Sequence, residues 1–125
     1  MLPTFRSDGD VVIVKKVSQH LYQVGDVVIC ESISNPNKTV CKRLAALPGD
    51  VIPLETQFGL FKYQIPIDHV WILGDNPPNS HDSRHYGPVP ITHLKGRVVS
   101  KVRLLEFPSI IQEVKRVKPV FKDYP

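Results

Sequence analysis

The sequence predicts a mostly β protein whose strands coil into a barrel or a folded sheet, and three observations carry that reading. Twelve prolines in 125 residues are about twice the usual ~5% share, an excess that helices tolerate badly. Five runs rich in β-branched residues recur along the chain, each bounded by turn formers. Gly-Asp stands at Gly9-Asp10, Gly25-Asp26, Gly49-Asp50 and Gly74-Asp75, in the first three cases directly before a Val-led run, where it reads as a turn feeding a strand.

Taken in order, the runs are VVIVKK from Val11, VVICESI from Val27, TVCKRLA from Thr39, HVWIL from His69 and RVVSKVRLL from Arg97. Trp71 sits mid-strand between Val70 and Ile72 and reads as core or groove wall. Only the end of the chain looks helical. Ile110, Ile111, Val114 and Val117 recur at helical spacing before Pro119 stops the pattern, which predicts a short amphipathic helix within 109–117. Residues 1–105 therefore form one core, with 106–125 as a C-terminal tail.

A chain of this length builds one domain but not two. With 42% apolar and 22% charged residues, it folds rather than remaining disordered. No window approaches the roughly 18 consecutive apolar residues of a membrane span, and no basic-then-apolar signal sequence is present. The net charge of +4 raises the question of nucleic acid. The basic tail offers only Phe107, Phe121 and Tyr124 at wide spacing, without the interleaved stacking aromatics of such a module, so nucleic acid is discounted.

Two stretches carry candidate chemistry. In TVCKRLAALPGD, residues 39–50, strand alternation puts Val40, Lys42 and Leu44 on one face and Cys41, Arg43 and Ala45 on the other. If the Lys42 face is inward, desolvation disfavours the ammonium and frees a neutral amine to act as a general base. On a solvated face the same lysine would merely lay its stem on apolar surface. In WILGDNPPNSHDSRHYGPVP, residues 71–90, Asp75, Asn76, Ser80, Asp82, Ser83 and Arg84 crowd an irregular loop able to bond its own backbone. Asp82 and Arg84 would pair to brace it, and Ser80 would offer a hydroxyl to a neighbouring amine. His81 and His85 suggest a metal only on a helix, which Pro77, Pro78 and Gly87 oppose; no metal site is expected.

Together, KRLAALPGD and LGDNPPNSHDSR resemble the KR-x-x-x-x-PGD and GDN-x-x-x-S-x-D-S-R boxes of the type I signal peptidase family. The resemblance extends from Met1 to about Val102. CKR, the short segment between the boxes and the SRHYGPVP continuation are most similar to the mitochondrial inner membrane protease branch, its first catalytic subunit in particular. The resemblance implies a cofactor-free serine–lysine endopeptidase on a β-rich fold. Lys42 matches the general base and Ser80 the serine that orients it, while Asp82 and Arg84 match the bracing pair. Arg43 would be structural. Val40 and Leu44 would supply the apolar surround that a lone lysine base requires.

The family's nucleophile box reads S-M-x-P-T, and this chain opens Met1, Leu2, Pro3, Thr4. The nucleophile therefore falls at the position before Met1, and the polypeptide as given is expected to be inactive or nearly so. Two expectations follow: a longer protein carrying that serine and a membrane anchor upstream, or a non-catalytic short form serving as a peptide-binding or assembly subunit. A self-cleaving repressor of the Ser–Lys type would need a DNA-binding helical domain and an internal cleavage site, neither of which is seen. The resemblance further implies precursor proteins with cleavable sorting peptides as substrates, a second catalytic subunit as partner, and the mitochondrial inner membrane on its intermembrane-space side as location.

Cys30 and Cys41 flank the turn-forming residues 34–38. In a hairpin centred near Asn35 and Pro36 they fall almost opposite each other, which leaves open a cross-strand disulfide or, in view of the demanding geometry, two buried free thiols.

Overall fold

The computed structural model describes residues 10–75, 81–103 and 111–113, with side chains for 13–75 and 81–99. Strands β1 (Asp10–Lys15), β2 (Val27–Glu31), β3 (Thr39–Ala46), β6 (His69–Leu73), β7 (Val89–Pro90) and β8 (Leu94–Arg103) form an antiparallel sheet in the order β1-β8-β2-β3-β6-β7, with β9 (Ile111–Glu113) added to β8. A separate hairpin pairs β4 (Val51–Thr56) with β5 (Gly59–Gln64). Of the two expected forms the sheet takes the folded one: it is not closed into a barrel among the described residues. Register shifts at Ile13/Val14, Ile29/Cys30 and Leu44/Ala46 add local twist, so the sheet coils.

The turns follow their sequence chemistry. Gly25 and Gly49 adopt φ of 96° and 83°, values open to glycine at little cost. The aspartate after each accepts a backbone N–H three residues upstream, Asp26 from Gln23 at 2.9 Å and Asp50 from Leu47 at 2.9 Å. Each turn is thereby closed before its strand begins.

Alternation then sorts the strand residues into layers. One cluster joins Val28 and Cys30 of β2 and Leu44 of β3 to Val70 and Ile72 of β6, with Val89, Ile91, Leu94 and Tyr22 around them and Val40 and Leu47 packed against it. The other face of β6 sends Trp71 and Leu73 into a second cluster with Ala45, Ala46, Ile52 and Ile65, roofed by Leu54 and Tyr63 of the hairpin. Trp71 is 4% exposed and its ring lies 5.7 Å from that of Tyr63, so it is core. Each fully buried aliphatic side chain in these layers contributes roughly 1.5–3 kcal/mol.

Two findings depart from the sequence reading, and a third decides between alternatives that it left open. The β4–β5 hairpin was not among the expected strands, because Pro53 argues against a strand interior; in a two-stranded ribbon both strands are edges, and the missing N–H is tolerated. The helix expected within 109–117 is corrected at Ile111–Glu113, which extend as β9 along Ser100, Lys101 and Val102 of β8; the rest of that segment lies outside the described residues. Beyond Arg97 the β8 edge is no longer occupied by β2, and strand hydrogen bonds there outweigh a weak helical periodicity. Third, the cysteines are free. Cys30 pairs with Val40 while Cys41 pairs with Ile29, so a one-residue offset sends the two thiols to opposite faces.

Gly96 of β8 marks a close approach. A Cβ there would lie 2.5 Å from Val14 Cγ1 and 3.0 Å from the Lys15 carbonyl oxygen. Gly96→Ala is therefore expected to destabilise the fold by about 1–3 kcal/mol through overpacking, measured as a lowered urea midpoint with an unchanged m-value.

Candidate active site

Lys42 sits in the middle of β3. The β2–β3 register places it opposite Val28, with Val40 opposite Cys30, so on its own face it is bordered by Val28, Val40, Cys30 and Leu44, all members of the first core cluster or packed against it. The side chain is half-buried. Burial lowers the ammonium pKa below the ordinary lysine value; Asp82 opposes this, Arg84 reinforces it, and Cys30 and Cys41 oppose it more weakly. The net direction is downward, toward the neutral amine. Cys30 is buried in the same layer, where desolvation, reinforced by Glu31, pushes its thiol up to about 11 against the opposing influence of Lys42 and Lys95. It is therefore a protonated apolar neighbour at neutral pH.

The loop facing Lys42 closes on Asp82. This residue is fully buried and caps a single helical turn, α1 (Ser83–Tyr86). Its Oδ1 accepts from the Arg84 backbone N–H at 3.1 Å and from Arg84 Nε at 2.7 Å; its Oδ2 accepts from Gly74 N–H at 2.8 Å and from Arg84 Nη2. One carboxylate thus ties the end of β6, the start of α1 and a guanidinium together. His85 Nδ1 completes a capping box by accepting the Asp82 N–H at 3.3 Å, and its ring stacks on His81. Ser83 Oγ accepts Ile72 N–H at 3.0 Å, fastening α1 to β6. Tyr86 packs against the Lys42 layer, where burial, then Cys30 and Asp82, raise its phenol pKa and keep it protonated.

On the opposite face of β3, Arg43 forms a bidentate pair with Asp75, Nε–Oδ1 at 3.2 Å and Nη2–Oδ2 at 2.7 Å, and donates Nη1 to the Gly25 carbonyl at 3.1 Å. Through it, the strand carrying Lys42 holds both the turn before β2 and Asp75, two residues past the end of β6.

Of the residues singled out from sequence, the structure brings Lys42, Asp82 and Arg84 together and places Arg43 on the far face of β3. Ser80 and Met1 to Thr4 lie outside the described residues. No group of three or more potential metal-ligating side chains occurs among the described residues. The sequence reading missed the partnership of Asp75 with Arg43 and the fastening role of Ser83. Both residues stood inside the quoted boxes, but a linear motif does not say which side chains meet.

The site thus sets a partly buried lysine on an antiparallel sheet beside a turn locked by a buried carboxylate and guanidinium. The family model "Signal peptidase, peptidase S26" matches residues 1–60 and 53–103, and the chain belongs to that family. It is similar to mitochondrial inner membrane protease subunit 1 of Mus musculus, 42% identical over 106 residues covering 82% of this chain and 63% of the relative. The Schizosaccharomyces pombe protein of the same name is 40% identical over 105 residues, covering 82% and 67%. Mitochondrial inner membrane protease subunit 2 of Saccharomyces cerevisiae is 31% identical over 77 residues, covering 62% and 44%. The chain spans a little under two thirds of the length of the mouse relative.

Proposed function

We propose that this chain is the catalytic core of a mitochondrial inner membrane protease subunit that removes sorting peptides from precursors, with Lys42 as general base. The observation that carries this reading is the Lys42 amine itself, lodged among Val28, Cys30, Val40 and Leu44 with its charged form disfavoured by burial. In this reading the serine of the S-M-x-P-T box, immediately before Met1, is the nucleophile. Its hydroxyl proton passes to the Lys42 amine as Oγ attacks the scissile carbonyl. The ammonium then donates that proton to the departing amine, and the acyl-enzyme is released by a water that the same amine activates. Ser80 orients the amine, and the Asp82–Arg84 pair holds the loop that carries Ser80.

A lysine base needs surroundings that disfavour its charge and a partner that aims it; burial in the apolar layer acts in the first direction, and Ser80 is the partner in this reading. The names of the relatives support a location at the mitochondrial inner membrane and membership of a protease complex with a second subunit; in this reading that subunit is also catalytic and the working face is the intermembrane-space side.

The test compares cleavage of a precursor peptide by the polypeptide 1–125 and by the same polypeptide extended with Gly-x-Ser before Met1. Cleavage by the extended form, with the rate of 1–125 lower by several orders of magnitude, is the expected outcome. Cleavage by both forms at equal rates would remove the upstream serine from the mechanism, and no cleavage by either would leave a non-catalytic, peptide-binding role for the core.

A further inference from the structure

Lys42 lies at the margin of its apolar layer rather than inside it. Val28, Cys30 and Leu44 are fully buried, whereas Lys42 and Val40 are only half-buried. A lysine at such a margin ordinarily carries its head out into water, yet burial is the largest influence on this one. The strand residues wall the amine from the sheet side; its cover comes from another element.

The turn α1 is placed to supply that cover. β3–β6 pairing sets Arg43 opposite Leu73, which brings Lys42 level with Gly74, the residue whose N–H Asp82 accepts at 2.8 Å. Tyr86 follows one helical turn after Asp82, its N–H on the Asp82 carbonyl at 3.2 Å, so the two side chains share a face of the turn. The Tyr86 ring packs against the cluster that holds Val28, Cys30 and Leu44. Cys30 and Asp82 act on both the Tyr86 phenol and the Lys42 ammonium, which sets ring and amine in one small space. The ring is also held from outside. His81 meets it edge-on at 5.2 Å and stacks on His85 at 5.0 Å, and His85 closes the capping box on Asp82. The Asp82–Arg84 pair would lock this turn with any side chain at position 86, so the bracing of the loop leaves the ring without a role.

We propose that Tyr86 is a positioning residue for the reaction, its ring the cover that keeps water from the Lys42 amine. It acts through Lys42 and by bulk alone. The phenol is protonated and uncharged; the charged and titratable groups around Lys42 are Asp82 and Arg84 on the turn and Cys30 and Cys41 on the strands. Removing the ring admits water, and water favours the ammonium over the amine. The consequence for catalysis rests on Lys42 being the general base, whereas the covering of the amine does not.

NMR titration of the polypeptide 1–125, its lysines isotope-labelled at Cε, follows the amine directly; the Lys42 signal is the one absent from Lys42→Met. Tyr86→Ala is expected to raise the Lys42 midpoint by about one pH unit, a tenfold change in the neutral fraction below it, toward the ordinary lysine value of 10.5. Tyr86→Phe, which keeps the ring, should leave the midpoint where it is. An unmoved midpoint in Tyr86→Ala would overturn the proposal, as would an equal rise in Tyr86→Phe, which would make the hydroxyl rather than the ring responsible. Should Tyr86→Ala fail to fold, Tyr86→Leu carries the same test, because leucine keeps apolar packing without the reach of the ring; a rise of the same sign is expected and its absence overturns the proposal. In the serine-extended polypeptide, Tyr86→Ala should move the ascending limb of the kcat/KM profile upward by the same interval, where a merely structural role would lower the rate at every pH and leave the limb in place. A limb that stays while the amine midpoint rises would remove Lys42 as the base and keep Tyr86 as its cover.

Discussion

In a polypeptide carrying serine immediately before Met1, Lys42→Met is expected to lower kcat for precursor-peptide cleavage by about three to four orders of magnitude, with KM changed little. The substitution removes only the proton acceptor; the methionine stem still fills the space between Val40 and Leu44. Lys42→Arg should be equally inactive, because a guanidinium is not deprotonated in proteins. Activity of the unsubstituted enzyme should rise with pH as Lys42 loses its proton, and the midpoint should lie below the ordinary lysine value of 10.5, because burial lowers the pKa. A kcat/KM profile reads this directly. The stability effect has the opposite sense from that of a paired lysine. With the folded pKa below the unfolded one, the penalty for holding the charge in the fold is fully present below the folded pKa. It is relieved as pH rises from there toward 10.5. Lys42→Met should therefore abolish catalysis at neutral pH without lowering Tm. A large loss of Tm would mean that Lys42 is a structural ion-pair partner rather than a base.

That dual expectation rests on a neighbourhood only half of which can be read along the chain. Val40 and Leu44 flank Lys42 because a strand repeats every two residues, and any strand over TVCKRLA places them there. Val28 and Cys30 are its other neighbours because of the β2–β3 register, which the turn at residues 34–38 sets. Counting back from that turn puts Cys30 and Cys41 nearly opposite one another; the actual pairing differs by one residue, enough to move Cys41 to the far face. The same limit explains the other departures. Arg43 and Asp75 stand 32 positions apart, and the two boxes containing them specify residue types but no partners. The hairpin was hidden by Pro53, whose meaning depends on whether its strand is an edge. Ile111–Glu113 have helical spacing locally, and their conformation is decided by an open stretch of β8 that no local pattern reveals.

Asp82→Ala should be the most destabilising single change in the loop, by about 3–5 kcal/mol, the range for breaking a buried ion pair from one side. The side chain is fully buried and satisfies Gly74 N–H, Arg84 N–H and two guanidinium nitrogens. Alanine leaves the Gly74 donor without an acceptor and the Arg84 guanidinium, only 10% exposed, without its counter-charge. For a chain of this size the loss should lower Tm by about 10 °C or more. Asp82→Asn retains one cap acceptor and should cost less. A double-mutant cycle with Arg84→Met isolates the pair: the two substitutions together should destabilise by less than the sum of the singles, because the second removes the charge that the first strands. Additive effects would show that Asp82 acts as a helix cap alone. Because Asp82 opposes and Arg84 reinforces the lowering of the Lys42 pKa, Arg84→Met alone should also move the ascending limb of the pH profile to higher pH in the serine-extended enzyme. A purely structural pair would reduce the rate and leave that limb in place.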